Sequence, residues 1–420
     1  MVKPLEPDVV PDVATAQRHT VRTLVVAQII GGIGIGSALS VGALLALDLS
    51  GSQSWAGLAT TMITLGAAVC ALPLARLAAY RGRRVSLSTG WSVAAVGGLI
   101  VIAAASLRLF PLFLLGMVLF GSGSATNLQS RFTATDLAEP DNRARDLSLV
   151  VWATTVGSVL GPNLNEPGAL VARLVGIPEL AGAFAISTAA FVLAGLFQWW
   201  RLRPDPLLTA QRVLNAARGT TGPPPLRAAF DAIRRSPGAI LAVVTVAISH
   251  AIMVSVMAMT PVHMKGHGAT LTIVGLTISV HIAGMYALSP LVGWLADRIG
   301  RISVIFIGMS IMVVAVITAG TAGMSDVQVA IGMVLIGLGW SCGTVAGATL
   351  LAESVDSADR PGAQGFSDLL MNLMGALGGG LSGVVLGSIG FGGLNALAGV
   401  LVVPVLVLAV RRIRLRSVGG

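Results

Sequence analysis

Twelve blocks of apolar residues, each close to membrane length, constrain this chain more than any other feature. A helix crosses the roughly 30 Å hydrocarbon core in about 20 residues. The blocks cover residues 23–47, 55–79, 85–107, 109–129, 147–163, 181–200, 239–261, 273–296, 302–322, 327–352, 366–389 and 394–410. In hydrocarbon every backbone N–H and C=O needs an internal partner, and a helix supplies one locally. The sequence therefore predicts an all-α membrane protein with twelve transmembrane helices. The 420 residues are only 11% charged, against roughly 25% for a soluble domain. That removes the reading of two or three soluble domains.

Charge placement sets the orientation. With the N-terminus in the cytoplasm and the loops alternating, only Arg108, Arg173 and Lys265 fall outside, and the other 24 of 27 basic residues fall inside. Basic loops mark the cytoplasmic side. Both termini are expected there, in a multi-pass protein of the inner cell membrane. The net charge of +9 is then a topology signal, and no nucleic-acid partner is expected. The first twenty residues carry Glu6, Asp8 and Asp12 without an apolar core, so no cleavable signal peptide is expected. Cys70 and Cys342 lie within predicted spans and read as small core residues, not a disulfide or a metal site. Arg outnumbers Lys 25 to 2, a composition that points to a GC-rich bacterial genome.

The chain repeats itself. GWLADRIGR at 293–301 has a degenerate copy, ARLAAYRGR, at 75–83, an offset of 218 residues. The same shift pairs Gly57, Gly66, Gly82, Gly90, Gly121, Gly157 and Gly161 with Gly275, Gly284, Gly300, Gly308, Gly339, Gly375 and Gly379. These pairs match spans two to five with spans eight to eleven. Six spans thus recur in one orientation, dividing the chain into an N-terminal bundle (1–200), a linker (201–237) and a C-terminal bundle (238–420). The linker contains GTTGPPP and ends in LRAAFDAIRR, where Leu226, Phe230 and Ile233 recur at helical spacing. That stripe fits either an amphipathic helix on the inner membrane surface or a solvated connection.

Parallel six-span repeats joined by a cytoplasmic linker are the architecture of major facilitator transporters, and the charged stretch carries a specific resemblance. That family has a G-x-L-x-D-R-x-G-R pattern between its second and third spans, often echoed between the eighth and ninth. Gly293, Leu295, Asp297, Arg298, Gly300 and Arg301 reproduce it. The first copy keeps Leu77, Gly82, Arg83 and Arg84, but has Ala79 at the acidic position and Tyr80 after it. The resemblance implies that the carboxylate latches one half to the other in the outward-open state. Asp297 would then engage the start of span five, near Asp146 and Leu147, whereas the copy without a carboxylate leaves the latch asymmetric. The alternative for Asp297 and its arginines is a plain topology anchor.

Span five contains GSVLGP, whose Gly157, Gly161 and Pro162 resemble the G-x-x-x-G-P signature of exporters in this family. The two glycines that continue that signature are replaced by Asn165 and Glu166. In span four, Met117 and Phe120 occupy the places of the Arg and Gln that proton-coupled drug exporters carry. Span one offers Gln28 and no acidic residue. The usual exporter proton relay is therefore not in place.

Ionisable groups within spans cost about 2.5–3.5 kcal/mol on insertion scales, so each is a functional candidate. Asp368 in span eleven, His250 in span seven and His281 in span eight are the proton-coupling candidates, each with a structural role as its alternative. HMKGH, His263 to His267, has zinc-like spacing, but it falls in a predicted outer loop without a third ligand, and no metal or cofactor is expected. Gln28, Asn127, Trp152, Asn163, Met253, Met257, Tyr286, Trp340 and Asn372 are candidates to line a mainly apolar cavity, methionine being adaptable to varied ligands. No span carries Arg or Lys well inside it, which argues against sugar phosphates and dicarboxylates. No clustered catalytic carboxylates, phosphate loop or His–Glu metal pair points to an enzyme. The sequence thus favours a monomeric secondary transporter of a small lipophilic or weakly cationic compound, with protons and the lipid bilayer as further partners. Efflux by proton antiport is the leading reading. An importer or facilitator of an unidentified small metabolite is the alternative.

Overall fold

A computed structural model describes residues 13–134, 136–138, 143–214, 226–356 and 360–418. Those residues are helical with no strand among them. The first apolar block lies in one helix, α1 (Val13–Ser50). The second lies in α2 (Gln53–Ala56) and α3 (Leu58–Arg81), and the third in α4 (Arg83–Leu107). Gly121 divides the fourth into α5 (Phe110–Phe120) and α6 (Ser122–Thr133). The fifth comprises α7 (Arg143–Leu160), a tighter 3-10 turn at Gly161–Leu164 and α8 (Asn165–Val175). Pro162 sits in that turn and has no N–H to give an α-helical ladder. α9 (Ala181–Arg201) completes the first half.

The linker holds α10 (Pro206–Leu214) and α11 (Leu226–Arg235). GTTGPPP, like the acidic N-terminal stretch, lies outside the described residues. Of the α11 stripe, Ile233 is buried and Phe230 meets Phe366 at a ring separation of 5.8 Å, so this helix packs on the second half; Leu226 is outside the described side chains. There follow α12 (Pro237–Gly266), α13 (Leu271–Tyr286), α14 (Ser289–Ile299), α15 (Arg301–Gly320) and α16 (Asp326–Ser354). The last two apolar blocks share α17 (Arg360–Val418), which is interrupted by non-helical backbone at Gly390. Among the described residues, ten helices are long and apolar enough to cross a membrane, one of them a 50-residue stretch spanning that interruption. α12 runs on through Gly266, so His263 stands in its last turns and not in a loop.

The hydrophobic core is divided. One part collects Trp91, Phe113, Phe120, Phe184 and Phe191 from α4, α5 and α9, with Phe120 and Phe191 at 4.9 Å and Trp91 stacked on Phe191 at 5.3 Å. The other is aliphatic and methionine-rich, built around Ile252, Met309, Met312, Met333 and Ile336 of α12, α15 and α16.

The 218-residue repeat extends to packing partners. A side chain on Gly66 (α3) would overlap the Val118 carbonyl of α5, and one on Gly284 (α13) would stand 2.7 Å from the Val334 carbonyl of α16. Gly90 lies against Thr126, and its counterpart Gly308 lies against Cys342. Gly157 and Gly161 press α7 and its turn onto the backbone of α1. There a Cβ on Gly161 would lie 2.6 Å from Ile33 O, and one on Gly32 would lie 2.7 Å from Thr154 O. Small residues allow this backbone-to-backbone approach, which supplies the packing that hydrocarbon cannot drive.

The same device joins the two halves, at one end only. A Cβ on Gly57 (α3) would overlap Gly379 O of α17, and one on Gly275 (α13) would overlap Pro162 O. Around the first contact Thr61 donates to Ala376 O at 2.8 Å. Around the second, Asn163 donates to Ser279 at 2.8 Å, Ser279 to Val159 O at 2.7 Å and Thr272 to Glu166 at 2.6 Å. This seam lies at the end that carries Arg108, Arg173 and Lys265, the sparsely charged face. At the opposite, basic face no hydrogen bond or ion pair between described residues joins the halves. Among the described residues the side-chain bonds between the halves thus lie at one face only, as expected of two bundles around a cavity that opens to the basic side.

Two substitutions separate these roles. Gly157→Leu forces a side chain into the α1 backbone, overpacking of a kind that costs about 1–3 kcal/mol, and should lower the thermal midpoint of the purified protein. Gly57→Leu should leave both cores folded and open the seam instead. With the native cysteines replaced by alanine, Thr61→Cys should then react faster with an impermeant maleimide in the Gly57→Leu background than alone. Equal labelling rates would remove Gly57 from the seam.

Candidate functional site: the central cavity and the turns that flank it

The turn between α14 and α15 is made by Gly300, whose φ of +90° an L-residue rarely adopts, with nothing within 4 Å of its missing Cβ. The Asp297 side chain is 73% exposed and pairs with Arg301 at 2.9 Å. Arg301 also meets Glu353 at 2.8 Å and donates to Ala296 O at 2.8 Å, and Arg298 lies over the Trp294 ring at 5.2 Å. Gly293 has open space around it. The expected partner region at the start of α7 is engaged elsewhere, since Asp146 accepts from Gln17 at 2.6 Å. Among the described residues Asp297 has no partner on the other half, and its expected contact near Asp146 and Leu147 is not made.

The first copy of the motif is bound differently. Gly82 also turns at positive φ, +88°. Asp205, just before α10, fills the space where a Gly82 side chain would stand. Its carboxylate accepts from Arg84 N at 2.8 Å and from Leu207 N and Leu208 N at 3.1 and 3.2 Å. One carboxylate thus caps the N-termini of α4 and α10 together, an arrangement favoured by their exposed amides. Arg83 grips Asp136 through two bonds of 2.9 and 3.2 Å. Burial pushes the Asp136 carboxyl up from its ordinary range while Arg83 pulls it back and Asp205 adds repulsion. The turn without its own carboxylate is therefore tied into its own bundle by a borrowed one. The motif comparison missed Asp205, although an Asp-Pro pair before an apolar helical stretch is a helix-start signal.

Three stripes run from the seam down into the cavity. On α7, Trp152 lies below Val159 and Asn163, which meet α13, and Trp152 is 58% exposed. On α13, Tyr286 lies two turns below Ser279. On α17, Asp368 and Asn372 lie below Gly375, Ala376 and Gly379. Asp368 is exposed, and Asn372 donates to its backbone carbonyl at 2.7 Å. Behind this wall Trp340 of α16 donates from Nε1 to His250 Nδ1 at 3.2 Å. Tyr286 stands edge-on to Trp340 at 5.6 Å. The His250 ring lies against Gly375, where a Cβ would come within 2.7 Å of Cδ2.

One residue of this site escaped the sequence reading. Arg131 lies near the end of α6, and its charge acts on both Asp368 and Tyr286 from across the gap. Its Nε is buried without a partner. Counted by position, Arg131 belongs with the anchors of the basic face; folded, its charge also reaches two groups of the opposite half. Other candidates are packed away. Gln28 is buried and donates to Thr154 at 3.1 Å and to Asn127 O at 3.4 Å, which places it and Asn127 inside the first bundle. Met253 and Met257 are core residues of the second. His281 is fully buried, with Nδ1–H donating to Met333 O at 2.7 Å. Asn163 belongs to the seam. Among the described residues no group of three His, Cys, Asp or Glu could hold a metal. His263 instead stacks on Phe391 at 4.2 Å and bonds to Gly323 O at 3.1 Å.

Known proteins place this architecture. The chain matches the Major Facilitator Superfamily over residues 24–280 and again over 243–418. It is 38% identical over 394 residues to the uncharacterized MFS-type transporter YdeG of Bacillus subtilis (strain 168), covering 93% of this chain and 91% of that protein. It is 30% identical over 404 residues to the riboflavin transporter RfnT of Brucella anthropi, covering 96% and 97%. Among solved structures, a bacterial homolog of the human lysosomal transporter Spinster, inward-facing and unoccupied, superposes with a TM-score of 0.71 at 17% identity, over 94% of this chain and 95% of that one. The nucleoside transporter NupG superposes with a TM-score of 0.70 at 16% identity, over 94% and 98%. At those identities the structures speak to fold alone. Fold, sequence relatives and the doubled family match agree: the chain belongs to the major facilitator superfamily of membrane transporters.

Proposed function

We propose that this transporter exports a small lipophilic or weakly cationic compound in exchange for protons, with Asp368 as the group that both use. The observation that carries the reading is an exposed carboxylate on α17 within electrostatic reach of a guanidinium, Arg131, on the other half. The basic face is taken as cytoplasmic and the chain as a monomer crossing the bacterial inner membrane twelve times. Its two bundles, 1–200 and 238–420, rock about the 201–237 linker. The exporter-like GSVLGP sequence supports the outward direction.

In the state open to the cytoplasm, Asp368 faces three alternative partners: Arg131, a proton, or the cationic group of the cargo. An unneutralised carboxylate resists enclosure in a closed, low-dielectric cavity, so the halves exchange faces when cargo or a proton occupies it. Cargo leaves on the outward passage and a proton returns on the inward one. His281 has no route to the cavity, and His250 has its Nδ1 lone pair engaged by Trp340, which leaves Asp368 as the exchangeable site. As the basic face closes, Asp297 comes within reach of the other half, so the latch belongs to the outward-open state.

The similarity to RfnT supports a second reading, entry or facilitated passage of a neutral aromatic metabolite such as riboflavin. Inside-out vesicles with an acidic interior and a dye reporting the gradient separate the two. Export by antiport predicts that an added lipophilic weak base collapses the gradient, and that Asp368→Asn abolishes the collapse while still binding the compound. Riboflavin uptake with the gradient untouched would establish the second reading. Asp297→Asn should slow transport several-fold at near-normal expression; unchanged rates would leave Asp297 as an anchor only.

A further inference from the structure

The cavity wall formed by the second half holds polar atoms without partners around two aromatic rings. Trp340 Nε1–H can only donate, so His250 Nδ1 must accept, and the neutral imidazole carries its hydrogen on Nε2. That edge faces α17 at Gly375, where no side chain intervenes; a Cβ there would lie 2.9 Å from Nε2. His250 is partly exposed, and among the described residues neither its Nε2 nor the Tyr286 hydroxyl makes a hydrogen bond. Trp340 and Tyr286 stand perpendicular to each other at 74°, forming an apolar corner beside the imidazole. Arg131 adds one further unpartnered donor, its Nε.

Buried polar groups find partners in folded proteins, and apolar pockets with a few convergent polar groups are the usual form of a ligand site. Here the unused groups are mostly donors. We propose that this corner is the recognition site for the cargo. The cargo is a planar aromatic compound whose edge carries a ring carbonyl or ring nitrogen, accepting from His250 Nε2–H while its faces contact Trp340 and Tyr286. In this role His250 is a hydrogen-bond donor held in one tautomer by Trp340, not a carrier of protons. Gly375 keeps the space that lets the imidazole edge reach the cavity. The inference rests on the transport reading for the use of the cavity, but binding at this corner does not require proton exchange.

Three tricyclic fluorophores of matched shape test it on the purified full-length protein in lipid nanodiscs: acridone with a ring carbonyl, acridine with a ring nitrogen, and anthracene with neither. Saturable binding of acridone and acridine is expected. His250→Phe should weaken both about tenfold, the value of one ordinary hydrogen bond at about 1.4 kcal/mol per decade, and leave anthracene unchanged. His250→Gln, which can accept from Trp340 and still donate, should retain most of the affinity. Histidine-selective 15N spectra should show, among the Nε2–H rings, one whose signal shifts on adding acridone and is lost in His250→Gln. Equal weakening of all three probes by His250→Phe would reduce His250 to packing and overturn the proposal. Unchanged acridone binding in that variant, or no saturable binding of acridone and acridine to wild type, would overturn it as well. If acridone binds as expected but no aromatic base collapses the proton gradient in vesicles, antiport fails and the recognition site stands. If a base collapses the gradient and His250→Phe leaves its affinity untouched, the recognition site fails and antiport stands.

Discussion

Backbone pressed against backbone at glycine is the contact on which the rest of this structure depends. Gly57 on Gly379 and Gly275 on Pro162 hold the two halves together at the sparsely charged face, and the 218-residue repeat makes the two contacts equivalents of each other. Such a seam has no long side chains to stretch as the halves separate. Its carbonyls and Cα atoms either meet or part, the kind of discrete interface that turns a small tilt into a switch between two packings. The cavity exists because the seam is made at one face while the other is open. Within the first half the same kind of contact, Gly157 and Gly161 on α1, holds the helices together.

The repeat is broken where the two faces need different behaviour. At the basic face the first turn is fastened inside its own bundle by Asp205 and by the Arg83–Asp136 pair, whereas the second leaves Asp297 largely in solvent. One half thus carries a finished turn and the other an exposed carboxylate paired, among the described residues, only to Arg301 of its own turn. The walls of the cavity are unequal as well. The second half contributes Asp368, Tyr286, Trp340 and His250, while the first contributes Trp152 and the guanidinium of Arg131.

Much of this was legible in the sequence because hydrocarbon imposes a strict length and polarity rule on every crossing. The apolar blocks, the repeat offset and the charged motif follow from that rule and from turn geometry, both local in sequence. The stripe on α17 from Asp368 through Asn372 to Gly379 could likewise be read from helical spacing. What spacing alone does not give is which side of a helix meets the other half. Gln28, Met253 and Met257 looked as suitable for a cavity as Tyr286 and Trp340, yet they face inward within their own bundles. Arg131 was hidden for the opposite reason. Its place at a span end fits the basic-side pattern, and only the long reach of its side chain brings the charge into the cavity. Asp205 lies outside the motif it completes, 126 residues after Ala79, so no local pattern connects the two.

Distances across the two faces, measured by pulsed electron spin resonance, address the alternating seam most directly. Spin labels would be placed on exposed positions, Val175 with Met324 at the sparsely charged face and Tyr80 with Ile299 at the basic face. Acidification or addition of a transported compound should populate a second state in which the first distance lengthens and the second shortens together. Two distances that stay fixed under every condition, or that change independently, would contradict a single seam exchanging faces.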